Sequence, residues 1–285
     1  MTTARIAAPA KVNLTLHVTG QRADGYHLLD SLVVFADVGD VITVEAADDL
    51  TLTVDGPFGA GVPTDQSNLI LRAAQVLAEA RGVSQGARLH LEKNLPHAAG
   101  IGSGSSDAAA TLSLLADLWQ VDPLKADDPR VLELGADVPV CAAGPKPQRM
   151  RGIGEVLSSV PPLPEVALVL VRPPVAVPTG PVFQGLATKT GEPMTGVPEA
   201  LDFPKFVNWL SRQRNDLQTP AIGIAPVIGQ VIDVLQMQDG AALAAMSGSG
   251  ATCFGAFATL SQAQDAASQI RSAHPDWWVE AARML

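Results

Sequence analysis

The sequence predicts an α+β protein of two domains with mixed, mostly antiparallel sheets. Three observations carry this. The chain has 285 residues, more than one domain of about 150 residues accounts for. Short turns join the early strand candidates, and the later helices and strands alternate without the strict βαβ order of a doubly wound sheet. The domains are expected at 1–155 and 156–285, with the boundary just before a proline-rich stretch. No internal repeat is found.

Composition narrows the class. Hydrophobic residues make up 47% and charged residues 17%, with no low-complexity tract, which excludes a disordered or collagen-like chain. Nineteen Lys and Arg against 29 Asp and Glu leave a formal net charge of −10. That disfavours nonspecific attraction to nucleic acid or an anionic bilayer, so an anionic ligand must meet a local device. Cys141 and Cys253 lack metal-ligand spacing and read as two core thiols in a reducing compartment. No apolar run approaches the roughly 20 residues that cross a bilayer, and the first residues lack a signal-peptide block, so a cytoplasmic protein is expected.

The elements follow in order. Val12, Leu14, Leu16 and Val18 alternate with Lys11, Asn13, Thr15 and His17, which predicts a half-buried strand. Gly20 and Gly25 bracket a turn, and 28–36, 41–46 and 50–54 supply further strands. Ser67 resembles an N-cap for a helix whose apolar spacing runs to Gly82. Residues 87–93 return to alternation, 96–104 form a glycine-rich loop, and 108–119 have helical spacing. Beyond the prolines of 161–181, which enclose a buried strand at 166–171, the spacing predicts a helix over 225–237, a strand over 251–257, a helix over 262–273 and a closing strand over 277–282.

The run Gly100-Ile101-Gly102-Ser103-Gly104-Ser105-Ser106-Asp107 lies between a strand and an Ala-rich helix. Glycine admits positive φ and close backbone approach, and a helix N-terminus offers free N–H groups to an anion. The run reads either as a phosphate cradle or as a capped helix start. It is neither a Walker loop nor GxGxxG. Lys11 and Asn13 share a strand face about 7 Å apart at two residues' rise, and either both enter one cleft or Lys11 is an exposed strand-end lysine. Tyr26, the single tyrosine, precedes His27. The pair suits a planar heterocycle or ordinary hairpin packing. Asp137, in Gly135-Ala136-Asp137-Val138-Pro139, is a turn residue or, with a nearby lysine, an oriented carboxylate. His17, His90, His97 and His274 have no metal-ligand spacing, and Trp277-Trp278 reads as packing. Met246 to Phe254, a second small-residue loop running into a strand, reads singly as a flexible turn.

Taken together these blocks resemble the GHMP kinase superfamily and, within it, the 4-diphosphocytidyl-2-C-methyl-D-erythritol kinases of the non-mevalonate isoprenoid pathway. The resemblance spans nearly the whole chain. It is carried by Ala8 to Leu14 with Asp24-Gly25-Tyr26-His27, by Leu95 to Ala109, by Gly135 to Pro139, and by Ser247 to Thr252. It implies a two-domain GHMP kinase fold with a deep cleft between domains. It also implies transfer of the γ-phosphoryl group of ATP, with Mg2+ as the nucleotide counter-ion, to the 2-hydroxyl of the methylerythritol moiety. On that resemblance Lys11 and Asp137 are catalytic, Asp137 receiving or orienting the hydroxyl and Lys11 keeping that carboxylate ionised. Asn13, Tyr26, His27, Thr179 and Phe183 match substrate-binding positions, with Tyr26 and Phe183 sandwiching cytosine and His27 reading its edge. Pro96, His97, Ala98, Ala99, Gly100, Ile101, Gly102, Ser103, Gly104, Ser105 and Ser106 match the ATP phosphate loop. The metal ligands are unassigned.

The expected partners are therefore two small molecules, ATP and a cytidyl diphosphate sugar alcohol, with neither nucleic acid nor membrane. The alternatives are a relative acting on homoserine or mevalonate, which leaves Tyr26 and His27 without a base, and a nonenzymatic nucleotide binder, against which Lys11 and Asp137 both count. Ser103 stands where the family usually has glycine; if the position needs positive φ, Ser103 is strained and Ser103→Gly is neutral or improves nucleotide binding. The connection 119–135 is shorter than the family's, which bears on the helix before Asp137.

Overall fold

The computed structural model describes residues 3–97 and 99–285. In chain order its elements are β1 (Ala4–Asn13), β2 (His17–Gln21), β3 (His27–Ala47), β4 (Thr51–Asp55), α1 (Leu69–Arg81), β5 (Gly86–Glu92), α2 (Ser103–Trp119), α3 (Pro129–Leu134) and α4 (Val138–Ala142). There follow β6 (Gln148–Gly152), β7 (Val156–Ser159), β8 (Ala167–Arg172), α5 (Thr179–Gln184), α6 (Phe203–Leu210), α7 (Gln218–Ile224), α8 (Val227–Gln236), β9 (Leu243–Met246), β10 (Cys253–Phe257), α9 (Leu260–Ala273) and β11 (Trp278–Arg283). The mixed α+β content is as expected, and the strand pairs are mostly antiparallel, β4 with β5 being parallel.

The chain groups into two compact units. One comprises Met1–Lys11, Gly39–His97 and Gly102–Pro145; the other comprises Val12–Val38, Ala98–Ile101 and Lys146–Leu285. The expected linear division at residue 155 falls inside the second unit, in the turn between β6 and β7.

In the first unit the later part of β3 pairs with β5, Val41 opposite Glu92 through Ala47 opposite Gly86. Ile42, Val44, Leu89 and Leu91 share one core with Ile70 and Leu77 of α1 and Leu112 and Leu115 of α2. The N-cap of α1 is Asn68, whose side chain accepts from the Ile70 N–H at 2.9 Å. Ser67, the expected cap, instead gives its hydroxyl to Asp65. Helix α2 starts at Ser103, a turn before the apolar spacing, because its first turn is polar and shows no periodicity. The short connection before Asp137 still forms α3, capped by Asp128.

In the second unit a four-stranded antiparallel sheet runs β11-β8-β10-β9. Its core joins Val169 and Val171 of β8 to Ile228, Val231 and Leu235 of α8 and to Ala263, Ala267 and Ile270 of α9. The expected strand over 12–18 is broken after Asn13. Thr15 turns its hydroxyl to accept the Leu32 N–H at 2.8 Å, while Ser31 donates to the Thr15 carbonyl. Nor is the segment half-buried: every residue from Lys11 to Val18 is buried. The strand candidates 28–36 and 41–46 are one strand, β3. Both cysteines are free and buried, and burial pushes both thiols above their usual range.

Candidate active site

In the first unit, three positions far apart in sequence meet. Lys11 at the end of β1 is buried, and its ammonium lies 2.9 Å from Oδ2 of Asp137. Asp137 occupies the N-cap of α4 yet makes no capping bond with its side chain. The helix forgoes a cap worth about 1 kcal/mol, and the carboxylate turns to the ammonium while its side chain stays 35% exposed. A partly open carboxylate held by a buried cation can take a proton from a bound group. Gly102 completes the cluster. With φ +59 it is left-handed, so a side chain there would be strained, and a Cβ would stand 2.8 Å from Lys11 Cε and displace the ammonium's stem. It is also the N-cap of α2, whose first N–H groups present donors to an anion. Ser106 ties that first turn down by donating to the Pro9 carbonyl at 2.8 Å.

A second charged cluster in the same unit was not legible in the sequence. Lys93 Nζ donates to Asp40 Oδ2, to Asp107 Oδ2 at 2.6 Å and to Ser103 Oγ at 3.2 Å. Asp40 Oδ1 also accepts the N–H groups of Asn94 and Leu95. Burial pushes the Asp107 carboxyl up to about 8, opposed by the Lys93 charge and reinforced by Asp40. Its Oδ1 is buried without a hydrogen-bond partner. Ser103 is not strained. Among the described residues the non-glycine positions with positive φ are Gln120 and Ala200, and Ser103 sits in the helix as an acceptor for Lys93.

In the second unit Asn13 donates from its amide to Ser31 Oγ at 2.8 Å, and its backbone N–H donates to Ser247 Oγ at 3.0 Å. The Ser247 hydroxyl donates onward to the Gly100 carbonyl at 3.1 Å, and the Thr252 N–H donates to the Ala99 carbonyl. The run 247–252, expected as a flexible turn, is thus tied to the glycine loop. His27 stacks on Phe183 with ring centroids 4.7 Å apart and planes 23° apart. Burial, and then the charge of Lys189, lower the His27 pKa, and its Nε2 is buried without a hydrogen-bond partner. Tyr26 is 58% exposed and joins none of the ring stacks among the described residues. Thr179 Oγ1 lies 3.1 Å from Ser249 Oγ.

Of the remaining loop positions, Ala99, Ile101 and Ser106 are buried, Gly104 is exposed, and Ser105 is intermediate. Pro96 is buried, and His97 has Nε2 2.6 Å from the Phe58 carbonyl. Ala98 lies outside the described residues.

Known proteins place this arrangement in a class. The family model "GHMP kinases N terminal domain" matches residues 68–147, and "GHMP kinases C terminal" matches residues 199–276. The chain belongs to the GHMP kinases, a family of ATP-using small-molecule kinases. Within it, a 4-diphosphocytidyl-2-C-methyl-D-erythritol kinase of Cereibacter sphaeroides is 55% identical over 280 residues, covering 98% of each chain. A crystal structure of 4-(cytidine 5'-diphospho)-2C-methyl-D-erythritol kinase aligns with a TM-score of 0.77 at 33% identity, covering 99% of each chain. A homoserine kinase from Cytophaga hutchinsonii has a TM-score of 0.70 at 15% identity, covering 100% of this chain and 95% of that one, a likeness of fold alone. Among the described residues no helix is long and apolar enough to cross a membrane.

Proposed function

We propose that this protein transfers the γ-phosphoryl group of ATP to the 2-hydroxyl of 4-diphosphocytidyl-2-C-methyl-D-erythritol in the isoprenoid pathway. The observation that carries the chemistry is the Lys11–Asp137 pair at 2.9 Å beside Gly102. Phosphoryl transfer asks a protein for positioning and charge stabilisation more than for covalent chemistry, and this pair supplies both. Asp137 accepts the proton of the attacking hydroxyl or fixes its direction. Lys11 orients Asp137 and offsets negative charge on the group in transit. Residues 96–106 hold the phosphates through backbone N–H groups.

Mg2+, taken as the counter-ion of the nucleotide, neutralises phosphate charge. At nucleotide sites the ion takes one or two carboxylates besides phosphate and water oxygens, and the carboxylates beside the loop, Asp137 and Asp107, are each held by a lysine through Oδ2. Its protein ligands stay unassigned.

The substrate rests on the relatives and on the second unit's aromatics. Tyr26 and Phe183 offer faces to cytosine, and a neutral His27, favoured by its lowered pKa, can both donate to and accept from the base edge. Asn13, fixed by Ser31, and Thr179 place the rest. The protein works in the cytoplasm on small molecules, without nucleic acid or membrane.

The test is product formation from ATP with the cytidyl substrate, homoserine and mevalonate in parallel. Turnover is expected with the first alone, and faster turnover of either other alcohol would reassign the substrate. In the same assay Tyr26→Ala should weaken the cytidyl substrate by ~1 to 3 kcal/mol and leave the ATP KM unchanged; equal losses would contradict the base platform.

A further inference from the structure

Outside every segment singled out in the sequence, Asn215 holds the second glycine loop from behind. Its backbone is fixed first. The Leu16 N–H donates to the Arg214 carbonyl at 2.9 Å, and the Asp216 N–H returns to the Leu16 carbonyl at 2.8 Å. Its side chain then makes three hydrogen bonds. Nδ2 donates both hydrogens, to the Met246 carbonyl at 2.8 Å and the Gly248 carbonyl at 2.9 Å. Oδ1 accepts the Leu217 N–H at 3.0 Å, which settles the amide's orientation. Gln218 secures the same loop by accepting the Met246 N–H at 3.0 Å.

The loop has no slack toward the residues it touches. Ser247 Oγ bridges the Asn13 N–H and the Gly100 carbonyl. A Cβ on Gly248 would lie 3.0 Å from the Gly100 carbonyl oxygen and 3.3 Å from Asn13 Oδ1, and one on Gly100 would lie 2.6 Å from the Gly250 carbonyl oxygen. Close-packed backbone of this kind passes a displacement on rather than absorbing it.

We infer that Asn215 is a positioning residue for the kinase reaction: by clamping the Met246 and Gly248 carbonyls it sets the place of Gly100 in the ATP loop and of Asn13. The inference rests on the reading that residues 96–106 hold the phosphates of ATP.

Asn215→Asp and Asn215→Ala test it in the full chain. Both lose the two donors. The carboxylate also sets an anionic oxygen against two carbonyl oxygens, so the isosteric Asp should be the worse variant. ATP affinity by calorimetry, without a second substrate, should fall about tenfold in Asn215→Ala, as expected for two lost hydrogen bonds, and further in Asn215→Asp, with the ATP KM rising and kcat falling. A purely structural role instead lowers the melting temperature of both variants and leaves the ATP affinity of the folded protein at the wild-type value. Gln213→Ala removes bonds to Thr195 Oγ1 and the Trp209 carbonyl in the same segment and should lower the melting temperature while binding ATP as the wild type does.

Wild-type affinity in both Asn215 variants overturns the inference. So does an equal loss in Gln213→Ala at matched melting temperature. If Asn215→Asp does not fold, Asn215→Ala against Gln213→Ala decides. A wild type that binds ATP but ignores the cytidyl substrate defeats the substrate reading and leaves this test intact; a wild type that binds no ATP defeats both.

Discussion

Lys11 and Lys93 are both buried in the same unit, and both lie against the opening of α2, yet their surroundings differ in kind. Lys11 meets a carboxylate whose side chain is 35% exposed. Lys93 meets Asp40 and Asp107, with side chains 0% and 4% exposed. A buried ammonium shared between two buried carboxylates leaves a net charge with nowhere to be solvated, so one carboxyl is driven toward its neutral form. Asp107 is that group. An ion pair open on one side can exchange a proton or meet a ligand, whereas one closed on every side can only hold the chain together. Placement relative to solvent, not residue type, separates the lysine proposed for chemistry from the structural one.

The largest effect should come from opening the closed cluster. Lys93→Met leaves two carboxylates buried without their cation and should cost about 3 to 5 kcal/mol of folding stability, read by urea denaturation. Wild-type stability in that variant would erase the distinction between the two lysines. Next, Asp137→Asn should cut kcat by roughly 100-fold or more, the scale of a lost general base, with ATP affinity close to wild type. Unchanged turnover would remove Asp137 from the mechanism.

A pH experiment sharpens the contrast further. The folded-state pKa of Asp107, about 8, lies above its ordinary 3.8, so folding takes up a proton between those values. Its contribution to stability is present in full below about 3.8 and is lost as pH rises through about 8. Asp107→Asn should therefore flatten the decline in stability from pH 4 to 8; an identical slope in the variant would place the titration elsewhere. The smallest effect is expected at Ser103. Since its hydroxyl accepts from Lys93, Ser103→Gly should lose about 1 kcal/mol of stability without improving ATP affinity, and tighter ATP binding would restore the view that glycine is the better residue there.

Much of the site was legible because its parts are local. The glycine run between strand and helix and the apolar run 166–171 each carry a short-range signal that survives without coordinates, whereas the alternation around Lys11 and Asn13 pointed to a half-buried strand where every residue from Lys11 to Val18 is buried. The Lys93 cluster carries no such signal. Lys93 and Asp40 are 53 residues apart, and nothing in the periodicity of either segment marks them as partners. Asn215 was missed for the same reason: its partners at 246 and 248 are backbone carbonyls, which have no sequence identity. The start of α2 and the cap of α1 were displaced because polar first turns lack apolar spacing and because Asn68, one residue beyond Ser67, reaches the free N–H.

By itself the sequence marked several of the longer elements, among them α1, β8 and α9, the glycine loop, and the residues proposed for phosphoryl transfer, since these depend on side-chain chemistry and on neighbours a few positions away. Only the tertiary structure decided that Asp137 gives up its helix cap to face Lys11, that the carboxylates around Lys93 are sealed while the one on Lys11 is partly open, and that β3 carries the chain from one compact unit into the other. Those outcomes depend on which distant groups share a desolvated space, and desolvation is a property of the packed chain rather than of any segment of it.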